Sequence, residues 1–154
     1  MADYFFDSSA LTKRYAKEIG SVWVENTTSL SSGNTIFIAE ITQVEVTAAI
    51  ARKMRGGHLN LTNGNLAFAK LQHDINDEYL LVEVDSVILQ DAVKLVKTYF
   101  LRGYDAVQLA IALKTNQENV SFGLPPIIFV SADNDLNAAA LATGLAVENP
   151  NNYP

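Results

Sequence analysis

Short apolar runs alternate with longer stretches of helical periodicity along the whole chain. Tyr4–Phe6 reads as a strand, and SSALTKRYAKEIG after it as a helix that opens on hydroxyl residues and closes on Gly20. SVWVENTTSL predicts a second short helix with Val22, Trp23 and Leu30 against the body. Gly33-Asn34 is a turn, and TIFIA (Thr35–Ala39) a β-branched and aromatic strand. A helix follows from Ile41 to Arg55, ended by Gly56-Gly57, with Ile41, Val44, Ala48 and Ala51 as its apolar stripe. From Leu59 to Tyr79 the spacing of Phe68, Leu71, Ile75 and Tyr79 is helical, with Asn63-Gly64 expected to break or bend its start.

YLLVEV (Tyr79–Val84) predicts a third strand, and Val87–Phe100 an amphipathic helix with Ile88, Ala92, Leu95, Val96 and Tyr99 inward. In RGYDAVQLAIAL (Arg102–Leu113), seven of the eight residues after Asp105 are apolar and only Gln108 interrupts. A helix so apolar on every side belongs in the core. It fades in TNQENVSFG. Ile127–Val130 is a fourth strand, DLNAAALATG a last helix, LAV a short fifth strand and ENPNNYP a polar tail. Strands separated by helices predict an α/β three-layer sandwich around a mostly parallel sheet of four to five strands. One domain is expected over residues 1–148, with 149–154 as the tail.

Composition narrows the class. The 154 residues are 49% hydrophobic and 18% charged, which fits a soluble globular domain. No apolar run reaches the roughly 20 residues of a membrane span. The first residues, MADYFFDSS, lack the basic start of a signal peptide. Without cysteine there is no disulfide, thiolate ligand or thiol nucleophile, and a cytoplasmic location is the expectation. The net charge of -6 argues against a plain nucleic-acid-binding surface. Basic residues gather at Lys13, Arg14 and Lys17 and again at Arg52, Lys53 and Arg55.

Four acids change the picture. Asp7 follows the first strand, and Asp133 is separated from the fourth by two residues. In an open parallel sheet, functional groups collect beyond the carboxyl ends of the strands. Asp105 heads the apolar helix, and Glu45 sits within the Ile41–Arg55 helix, bordering its apolar face. Singly, each has an ordinary reading as a helix cap, with Thr42 and Glu45 at capping-box spacing. Together, near core segments and without a matching set of buried Lys or Arg, they would repel one another unless a cation kept them ionised. An all-oxygen set suits Mg²⁺ or Mn²⁺ rather than zinc. His58 and His73 stand apart and read as surface residues. Ser8 and Ser131 are candidates for orienting the carboxylates, with N-capping as the plain alternative.

DYFFDSSALTKRYAKEIGS, ITQVEVTAAI, GYDAVQLAIAL and FVSADNDLNAAALATGL resemble, in this order, the conserved segments of PIN-domain proteins. Length and order are similar to the VapC-type toxins of toxin–antitoxin modules. The resemblance implies a Mg²⁺- or Mn²⁺-dependent ribonuclease, often a homodimer, silenced by a small antitoxin protein. By position it implies that Asp7, Glu45, Asp105 and Asp133 are its metal-binding and catalytic acids. Arg14, Arg52 and Lys53 are then the candidates for holding RNA phosphates. Asn63-Gly64 departs from the family pattern by interrupting the helical hairpin used for partner contacts.

Two other readings stay open. One is a receiver-like regulatory domain with Asp85 as phosphoacceptor, although SADND stands where a lysine is needed after the fourth strand. The other is an inactive PIN-like scaffold that only binds a partner.

Overall fold

In the computed structural model, which describes residues 1–154, five strands form one sheet in which every pairing is parallel. They are β1 (Asp3–Phe6), β2 (Thr35–Ala39), β3 (Leu80–Val82), β4 (Ile128–Val130) and β5 (Ala146–Glu148), ordered β3-β2-β1-β4-β5. β2, β3 and β4 lie within the runs that the sequence predicts, while β1 and β5 overlap theirs and each reach one residue beyond. Phe5 is opposite Phe37 on one side and Phe129 on the other, so β1 is the centre.

Alternation along the strands sends successive side chains to opposite faces and so builds two cores. Phe5 and Phe129, stacked with centroids 6.0 Å apart, point one way with Leu109, Ile111, Ile127 and Leu136. Phe6, Ile38 and Val130 point the other way, against Leu11, Ile50 and Leu71. The first core is covered by α5 (Ser86–Tyr99), α6 (Gly103–Ser121) and α7 (Asn134–Ala142). The second is covered by α1 (Ser8–Tyr15), α2 (Ser21–Thr28), α3 (Thr42–Arg55) and α4 (Leu61–Asp77). Helices on both faces of a parallel sheet give the three layers. No helix is long and apolar enough to cross a membrane.

Several local expectations are corrected. Asn63-Gly64 does not break α4: Asn60 caps the helix by accepting from the Asn63 N–H at 2.8 Å. Gly64 lies inside the helix because a Cβ there would collide with the Met54 side chain of α3. The glycine thus permits close helix approach rather than ending the hairpin. In α3 the buried face is Thr42, Val46 and Ile50, while Val44 and Ala51 are exposed. Trp23 faces the body as expected, whereas Val22 and Leu30 face solvent. TNQENVSFG, expected to fade, instead continues α6 to Ser121. Its asparagines anchor two strands: Asn116 Oδ1 accepts from the Ile127 N–H at 3.0 Å before β4, and Asn119 Nδ2 donates to Asp3 Oδ2 of β1 at 2.8 Å.

The polar tail folds back. A 3₁₀ turn at Pro150–Asn152 buries Pro150 over Gly20, whose φ of 85° and missing Cβ both allow the approach. Tyr153 stacks on Trp23 with centroids 4.9 Å apart and rings 6° from parallel.

Candidate active site

β1 ends at Phe6, and the next residue turns the chain into α1. Asp7 makes that turn as N-cap, and its Oδ1 accepts from the Ala10 N–H at 2.9 Å. Two hydroxyls complete its shell. Ser9 Oγ lies 2.8 and 2.9 Å from the two carboxylate oxygens, and Ser131 Oγ donates to Oδ2 at 2.8 Å. The side chain is nevertheless buried, with the residue 3% exposed. Burial pushes its carboxyl up to about 7; the hydrogen bonds oppose that rise, and the Asp105 charge adds to it.

Asp133 arrives from the adjacent strand end and caps α7, its Oδ1 accepting from the N–H groups of Asp135 and Leu136. Its Oδ2 is left for the cavity, 3.7 Å from an Arg102 nitrogen. Asp105 is not a cap. It lies in the first turn of α6, whose N-cap is Arg102, and no hydrogen-bond donor reaches its carboxylate. Burial raises its pKa, the Asp133 and Glu45 charges raise it further, and Arg102 opposes.

Glu45 comes from α3 in the opposite layer. The Thr42–Glu45 capping box does not form, because Thr42 is already helical and the N-cap is Ile41. Instead Gln108, the one polar residue in the apolar stretch of α6, reaches across. Its Nε2 lies 3.0 Å from Glu45 Oε1, 2.9 Å from Thr42 Oγ1 and 3.0 Å from Ser8 Oγ. Gln108 is 2% exposed, and its Oε1 is buried without a partner. The interruption noted in the sequence is therefore a tether between layers.

All four acids line one cavity of about 500 Å³ at the carboxyl ends of the strands. Ser131 touches Asp7 as expected. Ser8 touches no acid and binds Gln108 instead; its neighbour Ser9, which the sequence reading passed over, contacts Asp7. Arg52 lines the cavity, and Lys53 pairs with Glu18 at 2.7 Å beside it. Arg14 is not available to RNA. Its side chain is 7% exposed and pairs with Asp74 at 3.1 Å and Glu78 at 2.8 Å beneath α4. Lys13 is buried too, against Glu18. Both residues correct the expectation that no basic side chain is buried near the acids, yet neither neutralises the four. Arg102 does so only weakly: its side chain is 85% exposed, and its nitrogens lie 3.7 to 3.8 Å from Asp133 and Asp105.

Four carboxylates lining one cavity call for a counter-cation. As arranged, no three acids converge into a cage for an ion. A cage is not required for Mg²⁺, which keeps several waters and binds through one or two carboxylates. All-oxygen donors, the unbonded Asp105 carboxylate and the uncompensated charge fit such an ion.

The receiver-like reading fails on geometry. Asp85 is the exposed N-cap of α5, pairs with Lys114 at 3.3 Å and lies outside the cavity. The sheet order also differs from the 2-1-3-4-5 order of that fold.

Comparison with solved structures gives the same architecture. PAE2754 from Pyrobaculum aerophilum is 18% identical with a TM-score of 0.64, over 98% of this chain and 85% of that one. FitAcB from Neisseria gonorrhoeae is 17% identical with a TM-score of 0.61, over 96% and 97%. A toxin–antitoxin complex from Klebsiella pneumoniae is 16% identical with a TM-score of 0.56, over 96% and 97%. At these identities the likeness is one of fold. No curated protein matches the sequence significantly. The pattern of the PIN domain, however, matches residues 4–141, nine-tenths of the length, and the chain accordingly belongs to the PIN-domain family.

Proposed function

We propose that the chain is a Mg²⁺- or Mn²⁺-dependent ribonuclease and the toxin of a type II toxin–antitoxin pair. The observation that carries this reading is the cavity itself, which four carboxylates from three layers line and where Arg102 pairs only weakly with two of them. Membership of the PIN-domain family supports nuclease chemistry. The structural likeness to a toxin–antitoxin complex supports an antitoxin partner, and the homodimer is carried by family resemblance.

When bound, the cation supplies Lewis-acid activation and charge compensation for attack on an RNA phosphodiester. Asp7 and Asp105 are its main holders, with Glu45 and Asp133 completing the site directly or through water. Ser9, Ser131 and the Ala10 N–H fix the direction of the Asp7 oxygens. Gln108 fixes Glu45, and capping fixes Asp133 while leaving Oδ2 free. Holding the acids in place before substrate arrives removes reorganisation from the reaction.

Asp105→Asn tests the reading, because no hydrogen bond is lost. Cleavage of labelled RNA in Mn²⁺ is expected to fall by about 10²- to 10³-fold or more, with melting temperature retained and with EDTA silencing the wild type. Full activity in the variant removes Asp105 from the site. A wild type that cleaves no RNA favours the inactive-scaffold reading.

A further inference from the structure

Beside the carboxylates opens a second cavity of about 580 Å³, which shares Ser9, Thr12, Ala49 and Arg52 with theirs. Its own walls are Lys13, Glu18, Lys53 and His58, and Asn151 from the folded-back tail closes one side. The charge is reversed across this short step. Glu18 is its only acid, against Lys13, Arg52 and Lys53.

Glu18 spends each oxygen on a different lysine. Oε2 receives Lys13 Nζ at 3.1 Å and Oε1 receives Lys53 Nζ at 2.7 Å. One carboxylate therefore holds two ammonium groups in fixed directions, which removes part of the rotamer entropy a lysine loses on binding an anion. Arg52 is exposed and pairs with no carboxylate. Two positive charges remain uncompensated next to the acidic cavity. Chance solvation of a helix face does not require Lys13 to be buried, nor a tail to be docked as the opposite wall.

We propose that this cleft is a phosphate subsite for an RNA strand. It seats a backbone phosphate neighbouring the one at the carboxylates, with Lys53 and Arg52 as the donors and Glu18 as a positioning residue for Lys53. The assignment rests on the ribonuclease reading for its substrate and is tested by binding, independently of cleavage.

The probe is a fluorescently labelled single-stranded oligoribonucleotide, titrated with the full chain in EDTA over a series of salt concentrations. Removing two phosphate contacts in Arg52→Gln/Lys53→Gln is expected to weaken binding roughly tenfold or more and to reduce the salt slope by about 1.4 on a single strand. Lys94→Gln/Lys97→Gln, at two exposed positions of α5, matches the change in net charge. Glu18→Gln separates positioning from charge. Loss of a negative charge alone tightens binding, whereas loss of the lysine anchor weakens it, and weakening is the expected result. The subsite is overturned by a wild type that does not bind, or by an Arg52→Gln/Lys53→Gln variant whose affinity and slope match Lys94→Gln/Lys97→Gln. Tighter binding by Glu18→Gln overturns the positioning role. A parallel titration with inorganic phosphate covers the other source of the same chemistry. Phosphate binding lost in Arg52→Gln/Lys53→Gln while RNA binding is untouched assigns the cleft to a free anion and overturns the RNA subsite. Binding without Mn²⁺-dependent cleavage sinks the ribonuclease reading and leaves the subsite; cleavage with an unchanged salt slope does the reverse.

Discussion

Ser131 Oγ donates to Asp7 Oδ2 at 2.8 Å and, on its other side, accepts from the Asp133 N–H at 3.1 Å. One hydroxyl thus ties together the ends of β1 and β4 and sets the spacing of two of the four acids. Because the bond goes to the ionised form of Asp7, it opposes the rise that burial imposes.

Replacing Ser131 by Ala removes that donor. The Asp7 pKa is expected to rise further, moving the acid limb of the pH–activity profile upward. Near neutrality kcat/KM is expected to fall about 10- to 100-fold, the usual effect of losing a group that orients a metal ligand. Activity should recover in part on the alkaline side. A uniform loss at all pH values would instead indicate that Ser131 acts through Asp133 alone.

Asp7 also makes stability depend on pH. Its folded pKa of about 7 lies above the ordinary carboxyl value of 3.8, so the protonated form favours the fold. That contribution is fully present below about pH 4 and is lost as pH rises through about 7. The difference amounts to on the order of 4 kcal/mol. In EDTA, Asp7→Asn is expected to melt above the wild type at about pH 8 and close to it at about pH 4. Adding Mn²⁺ should raise the melting temperature of the wild type at the higher pH and leave the variant where it was. Melts at both pH values, with and without the ion, check both signs; a variant less stable at the higher pH in EDTA contradicts the account.

Arg14 carries a different load. Its guanidinium sits between Asp74, 2% exposed, and Glu78, and donates to the Thr28 carbonyl at 2.7 Å. Asp74 also accepts from the Tyr15 hydroxyl at 2.7 Å. Arg14→Met leaves buried carboxylates without their cation and is expected to cost about 3–5 kcal/mol. At this chain length that corresponds to roughly 10 °C in melting temperature. Oligoribonucleotide affinity measured well below the melting point should not change. A loss of affinity without a loss of stability would return Arg14 to the RNA surface.

The sequence made the frame legible where composition and burial agree. TIFIA and IIFV are β-branched and aromatic over a strand's length, and both are strands in the sheet. The stretch after Asp105 is apolar on every side and is covered by helices and sheet alike. The acids were visible because each stands where a strand ends or a helix begins. What stayed hidden depends on partners far along the chain. Arg14 reads as a solvated lysine-arginine pair until Asp74 and Glu78 are brought over it. Asn63-Gly64 reads as a breaker because nothing nearby tells that Met54 occupies the space of the missing Cβ. Gln108 reads as an interruption, because its reach to Glu45 spans 63 residues and two layers.

The position of β1 in the middle of the sheet has a consequence for synthesis. Its first neighbour, β2, is translated soon after it, but the other, β4, lies across a gap that separates Ser131 from Asp7 by 124 residues. On the ribosome the nascent polypeptide can therefore gather Asp7 and Glu45 early, yet it stays incomplete until Ile128 to Asp133 have left the exit tunnel and docked. The four-acid cavity is thereby completed only near the end of the chain's own translation.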